Sequence, residues 1–161
     1  MIKTLVPLSP ERIRHVKLAL WGVLISWSLA ALMACGSLPG QADGSLYEQL
    51  GGRAVIELVV GQTLDRVAND PRSKRSFAGI KMPHLKRSVT DYVCKLADGP
   101  CEYEGETMAN AHAQSKNTAA EFDFMVTVLR EELNKAGVSE AAKNELLRRL
   151  APTRRDIVQG S

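Results

Sequence analysis

The sequence predicts an all-α domain that follows an apolar N-terminal segment. Apolar residues recur at helical spacing through most of the chain after residue 45, and two Ser/Thr-x-x-Glu capping boxes precede such runs. No stretch alternates apolar and polar residues as a half-buried strand does, so a sheet is not expected. About 117 of the 161 residues follow the N-terminal segment and a short tether, which is enough for one hydrophobic core.

Residues 1–34 have the pattern of a secretory signal. Arg12, Arg14 and Lys17 precede 17 uncharged residues, Leu18 to Ala34. As a helix these would span about 26 Å, slightly short for a membrane helix. Leu32-Met-Ala-Cys35 resembles the processing box of bacterial lipoproteins, which implies a lipidated Cys35 as first mature residue. An uncleaved membrane anchor and a plain cleaved signal are the alternatives. All three place the remaining chain outside the cytoplasm, and we expect it in the periplasm, tethered to a bacterial membrane.

The folded domain is predicted at residues 45–161, after a tether at 35–44 that contains Pro and Gly. Its first helix begins at the capping box Ser45-Leu-Tyr-Glu48 and ends at Gly51-Gly52. The other helices are predicted from Arg53 to Ala68, from Met82 to Leu96, from the capping box at Thr118 to Gly137, and from Ser139 to Val158 with a bend at Pro152. The inner face of the second helix is predicted to carry Val55, Leu58, Val59 and Gln62.

Residues 97–117 lie between two segments with a clear helical pattern and contain few apolar side chains themselves. A segment of this length without a core of its own needs an explanation, and a bound cofactor that it wraps would supply one.

The charge distribution argues against nucleic-acid binding. Residues 1–34 carry four Lys and Arg against one Glu, which leaves 17 basic and 17 acidic residues in the rest of the chain. A neutral domain of mixed charge has no general field that attracts polyanions. The basic tracts 72–75 and 86–87 are expected to be solvated.

Two histidines, His84 and His112, lie in the predicted domain. The chain has no Cys/His spacing typical of a metal site and no Gly-rich phosphate loop. A single neutral imidazole can hold haem iron from one side and leave the other side open, but one histidine in a small helical protein is more often a surface or capping residue.

The chain resembles the group I truncated haemoglobins from about Ser45 to Val158. The resemblance rests on Ser-Leu-Tyr-Glu-Gln-Leu-Gly-Gly at 45–52, on Phe77-Ala-Gly and Met82, and on Gly99-Pro-x-x-Tyr103-Glu-Gly followed by Met108-x-x-Ala-His112. It implies a two-over-two helical globin that encloses one haem b. His112 matches the proximal iron ligand, Phe77 matches the residue that packs on the haem, and Met108 lies one helical turn before His112. Tyr103 is a further cofactor contact that the resemblance implies. One of the basic tracts 72–75 and 86–87 is the candidate contact of the haem propionates.

On the distal side the chain departs from the family. Leu64 and Val89 stand where well-studied members have a Tyr and a Gln that hold oxygen, and Leu85 completes an apolar wall. Near these positions in the sequence, Thr63 and Ser88 have a hydroxyl that could donate a hydrogen bond to a bound gas. His84 precedes the usual distal position by one residue, so it is expected to be solvated.

Cys94 and Cys101 flank Asp98-Gly99, where the family usually has two glycines. In an oxidising compartment they are expected to form a disulfide, and two free or buried thiols are the alternative.

Three functions follow from these observations. The first is reversible binding of diatomic gases (O2, NO and CO), with weak stabilisation of oxygen by the apolar distal pocket. The second is a haem enzyme for NO or peroxide, which would need an external electron donor because no reductase domain is attached. The third is a globin-fold interaction module without haem.

Overall fold

The structure, a computed structural model, describes residues 44–160. The predicted signal at 1–34, Cys35 and the rest of the tether up to residue 43 lie outside the described residues. Among the described residues, no helix combines the length and the apolar character that a membrane crossing needs.

The described part is helical apart from one pair of very short strands. Its elements are α1 (Leu46–Gln49), α2 (Gly52–Asn69), a 3-10 helix (Lys74–Phe77), α3 (Met82–Leu96), α4 (Met108–His112), β1 (Asn117–Thr118), α5 (Ala119–Lys135), α6 (Glu140–Leu150), a second 3-10 helix (Ala151–Thr153), α7 (Arg154–Ile157) and β2 (Val158–Gly160).

Three helices begin where their capping residues predict. Ser45 and Thr118 each form a complete capping box, with Glu48 and Glu121 respectively, and the Ser139 side chain accepts from the backbone N–H of Ala142. α1 ends at Gln49, just before the predicted stop at Gly51-Gly52, because Gly51 has the left-handed conformation at φ 91°. A side chain there would collide with Val55, so this turn requires glycine.

The core lies where α2 packs against both α3 and α5. The largest side chains that are almost completely buried are Leu50, Val67, Val128 and Leu146. The helical spacing of the apolar residues in α5 predicts five inward-facing side chains, those of Phe122, Met125, Val128, Leu129 and Leu133. This prediction is largely confirmed, because Val128 and Leu133 are buried and the other three are half-buried.

The prediction of which face of α2 is buried is wrong. The buried residues are Ile56, Val59, Val60, Thr63, Leu64 and Val67. Of the predicted set, Val59 is buried and Val55 is half-buried, whereas Gln62 is exposed and Leu58 is 55% exposed. Residues 54–60 are apolar at every position except Glu57, so their pattern does not define one face; contact with two neighbouring helices does.

The last predicted helix is interrupted. It ends at Leu150, continues as the 3-10 helix around Pro152 and as α7, and is followed by β2. β2 pairs in parallel with β1, and Val158 lies opposite Asn117. Strands of two and three residues are too short to produce an alternating pattern, which explains why the sequence predicts no sheet.

Candidate functional site

His112 is the last residue of α4, and its ring is oriented by the same helix. The Thr107 side chain caps α4 by accepting from the backbone N–H of Asn110. Nδ1 of His112 lies 2.8 Å from the carbonyl oxygen of Met108. Because a carbonyl can only accept, Nδ1 must donate its proton there, which leaves the lone pair of Nε2 free for a metal. The half-buried imidazole therefore has the tautomer that fits haem iron.

Contacts from distant parts of the chain hold this short helix. α4 packs against α7, and β1, just after α4, pairs with β2. The Ser115 hydroxyl donates to the carbonyl of His112 at 2.8 Å. The position of His112 thus depends on the residues around 154–160.

Phe77 ends the 3-10 helix that follows α2 and is half-buried against the core. The turn begins at Asp70, whose carbonyl accepts from Ser73 and Lys74. The Ser73 hydroxyl is buried and donates to the carbonyl of Val67 at 2.6 Å. These bonds fix Phe77 relative to the end of α2.

Leu64, Leu85 and Val89 form the apolar part of the predicted distal wall. Leu64 is buried in the core, and Leu85 and Val89 of α3 are half-buried against it. None of these side chains has a hydrogen-bond donor, and Ser88 beside them is half-buried. The nearby Thr63 is buried, and within the described residues its hydroxyl oxygen has no hydrogen-bond partner.

Tyr103 lies in the segment that leads into α4, and Met108 begins that helix. The Tyr103 hydroxyl donates to the carbonyl of Glu106 at 2.8 Å, and its ring packs edge-on against Tyr92 of α3 with the centroids 5.2 Å apart. Burial, followed by the charges of Tyr103 and Asp156, raises the pKa of Tyr92. Met108, the first residue of α4, is half-buried.

A disulfide joins Cys94 at the end of α3 to Cys101 in the following loop, with the Cα atoms 5.9 Å apart. Cys94 is fully buried, and the Arg53 guanidinium lies 3.2 Å from the sulfur of Cys101. Between the cysteines, Asp98 has the left-handed conformation at φ 63°. Arg149 binds both the Asp98 carboxylate and the carbonyl of Leu96 at 2.7 Å, which holds this turn in place.

His84 is exposed near the start of α3, as predicted for a solvated residue. Among residues 44–160 no group of three His, Cys, Asp or Glu side chains could hold a metal ion.

A surface cavity of about 350 Å³ between α2 and α3 is lined by charged side chains such as Arg53, Asp65 and Lys86. Lys86 and Arg87, a basic tract that is a candidate contact of the propionates, line this cavity. The other predicted haem-site residues do not line it, namely Leu64, Phe77, Leu85, Ser88, Val89, Tyr103, Met108 and His112.

The structure brings the predicted residues together in two groups. Leu64, Phe77, Leu85 and Val89 share one apolar cluster, while Met108 and His112 lie on α4. Arg75 is exposed, as predicted for a solvated residue. The sequence does not predict that its guanidinium also pairs with the buried carboxylate of Glu121, at 2.5 Å, and thereby links the Phe77 turn to the residues following α4. The capping box identified Glu121, but nothing in the sequence indicated its burial.

Comparison with known proteins gives consistent matches over this region. The family model described as bacterial-like globin matches residues 45–159. The group 1 truncated haemoglobin of Tetrahymena pyriformis is 31% identical over 114 residues, which cover 71% of this chain and 94% of that protein. A protein of the same description from Mycolicibacterium paratuberculosis is 29% identical, over 72% of this chain and 85% of that one.

Solved structures agree with these relatives. The crystal structure of the Tetrahymena pyriformis truncated haemoglobin in the Fe(III) form superposes with a TM-score of 0.68 at 30% identity, over 73% of this chain and 100% of that one. The 2/2 haemoglobin of Synechococcus, in the cyanomet state with covalently attached haem, gives 0.66 at 27% identity, over 71% of this chain and 98% of that one. The protein therefore belongs to the bacterial-like globin family, as a group I truncated haemoglobin, and its cofactor is haem.

Proposed function

We propose that this protein binds haem b through His112 and reversibly binds diatomic gases with little stabilisation of oxygen, in a globin domain located outside the cytoplasm. The observation that carries the proposal is the hydrogen bond from Nδ1 of His112 to the carbonyl of Met108, because it leaves Nε2 available as the axial ligand. Haem iron supplies the coordination position for a gas.

The residues on the distal side determine which gases are favoured. Leu64, Leu85 and Val89 exclude water but donate no hydrogen bond. A donated bond to partly charged oxygen contributes about 1–3 kcal/mol, or roughly 5- to 150-fold in equilibrium. Without it, we expect fast oxygen release and fast oxidation of the iron. Carbon monoxide is less polar, so its affinity should change little.

The test of the ligand uses the full-length chain in detergent, loaded with haem. We expect a sharp Soret band that shifts when carbon monoxide is added to the reduced protein, and we expect His112→Ala to abolish it. The matched control is His84→Ala, which replaces an exposed histidine and should leave the spectrum unchanged. Failure of the wild-type chain to take up stoichiometric haem would contradict the proposal and favour an interaction module.

The location is proposed from the signal-like pattern of residues 1–34 and from Cys35. A disulfide between Cys94 and Cys101 also suits an oxidising compartment. The intact mass of the protein, recovered from both the membrane fraction and the soluble fraction of bacterial cells, distinguishes the three alternatives. A lipid-modified N-terminus at Cys35 supports the lipoprotein, an uncleaved N-terminus supports the anchor, and an unmodified cleaved form released from the membrane supports a plain signal. Recovery of the chain from the cytoplasm would overturn all three.

A further inference from the structure

The carboxylate of Glu121 is buried, with only 8% of the side chain exposed, and it accepts hydrogen bonds from two parts of the chain. From its own capping box it receives the backbone N–H and the hydroxyl of Thr118, at 2.8 and 2.7 Å. From the 3-10 helix before α3 it receives the Ser76 hydroxyl at 3.0 Å and the Arg75 guanidinium at 2.5 Å. One side chain therefore connects the start of α5 to the turn that ends at Phe77.

The capping role alone does not account for this burial. Glu48 has the same position in the capping box of α1, where it receives the backbone N–H of Ser45 at 2.8 Å, and it is exposed. Burying a carboxylate costs free energy unless it is paired and hydrogen-bonded. Burial pushes the pKa of Glu121 up, but the bonds from Thr118 and Ser76 and the charge of Arg75 outweigh that effect and lower it. Glu121 is thus ionised, and both of its carboxylate oxygens accept hydrogen bonds.

Arg75 makes a second connection to the same region. Its guanidinium also donates to the carbonyl of Lys116 at 3.0 Å. Lys116 has the left-handed conformation at φ 50° and lies just before β1, in the segment that follows α4. The turn that carries Phe77 is therefore bonded to residues 116–121, which directly follow the helix of His112.

We propose that Glu121 is a positioning residue for the cofactor, which holds Phe77 in place relative to His112 through Arg75 and Ser76. The inference rests on the proposed function, because Phe77 and His112 are the residues expected to contact the haem from different segments. Loss of the Glu121 contacts should loosen the Phe77 turn and accelerate loss of the haem, while the iron ligand itself remains in place.

Glu132 provides a matched control on the same helix. Its side chain is 7% exposed and pairs with Arg66 of α2 at 2.5 Å and with Lys135 at 2.8 Å. Glu121→Gln and Glu132→Gln each remove one buried charge from α5, so both should destabilise the apoprotein. Only the Glu121 variant should disturb the Phe77 turn.

The experiment measures haem transfer from the ferric full-length protein to excess apomyoglobin. We expect Glu121→Gln to raise the rate about tenfold or more and to alter the circular dichroism of the Soret band, with neither change in Glu132→Gln. In the apoprotein, hydrogen exchange of peptides covering residues 72–80 should be faster in Glu121→Gln alone. Arg75→Met, which keeps the capping box, should reproduce the direction of all three changes even if Glu121→Gln does not fold.

Two outcomes would overturn this inference. One is that the Glu121 and Glu132 variants lose haem equally fast; the other is that haem loss and hydrogen exchange stay normal in Glu121→Gln and Arg75→Met. In both cases the wild-type spectrum would still support the proposed function. Failure of the wild-type protein to bind haem would overturn the proposed function and this inference with it.

Discussion

The residues predicted to line the distal side lie on two long helices, α2 and α3, whereas His112, the predicted proximal ligand, ends a helix of five residues. Leu64, Leu85 and Val89 are held by apolar packing within one cluster. His112 is held by a backbone hydrogen bond and by segments far away in sequence. Apolar packing tolerates exchange of similar volumes, but a directed hydrogen bond does not. We therefore expect distal substitutions to change gas affinity and proximal disturbances to change retention of the cofactor.

The largest effect is expected when the distal wall gains donors. The double variant Leu64→Tyr/Val89→Gln restores the two polar residues that the resemblance associates with held oxygen. Oxygen dissociation should slow by roughly 30-fold or more, because two donated bonds of about 1–3 kcal/mol each stabilise polar oxygen, while carbon monoxide dissociation should change little. Stopped-flow displacement measures both rates. Leu64→Phe/Val89→Leu is the apolar control, and an equal slowing in that variant would contradict the expectation.

A smaller effect is expected from the disulfide between α3 and the loop that leads to α4. Replacing Cys94 and Cys101 by Ala removes the cross-link, and the free energy of unfolding should fall by about 2–3 kcal/mol because the unfolded chain gains conformational freedom. Urea unfolding of the apoprotein gives this value. The wild-type protein treated with a dithiol reductant is the comparison, since it should lose a similar amount; no loss in either sample would show that the bridge does not stabilise the fold.

The smallest effect concerns an exposed ion pair at the end of α2. The side-chain hydrogen bond from Arg72, followed by its backbone N–H, lowers the pKa of Asp70 from 3.8 to about 2. The ionised form thus stabilises the fold at pH above 3.8, and this contribution is lost as the pH falls towards 2. Asp70→Asn should therefore flatten the dependence of stability on pH in that interval. Thermal unfolding between pH 5 and pH 2 measures the slope, and an unchanged slope would contradict the assignment. Asp123→Asn, which removes a looser pair with Arg154 at 3.3 Å, is the control.

Most helices could be predicted from the sequence because their ends carry strong local signals. Ser45, Thr118 and Ser139 cap helices at the positions that the sequence predicts, and α3 has the predicted bounds. The buried face of α2 could not be predicted because its apolar residues surround the helix, and contacts distant in sequence decide which of them are buried. Local signals therefore determine where a helix begins, while tertiary packing determines which of its faces is buried.

The candidate site divides in the same way. His112 was assigned from the resemblance, and spacing alone does not distinguish it from an ordinary surface histidine. The structure adds its hydrogen bond to Met108, which could not be deduced without the short α4. Glu121 was visible only as part of a capping box, because burial of a charged side chain depends on partners such as Arg75, which lies 46 residues away in sequence.

The pairing of β1 with β2 has a consequence for the order of folding. Residues 158–160 follow all the helices that the structure describes, yet they bind the segment next to α4. The surroundings of His112 therefore remain incomplete until β1 and β2 have paired, and this pairing closes the long loop between residues 117 and 158 at an entropic cost. Stable incorporation of haem is therefore expected to be a late step of folding.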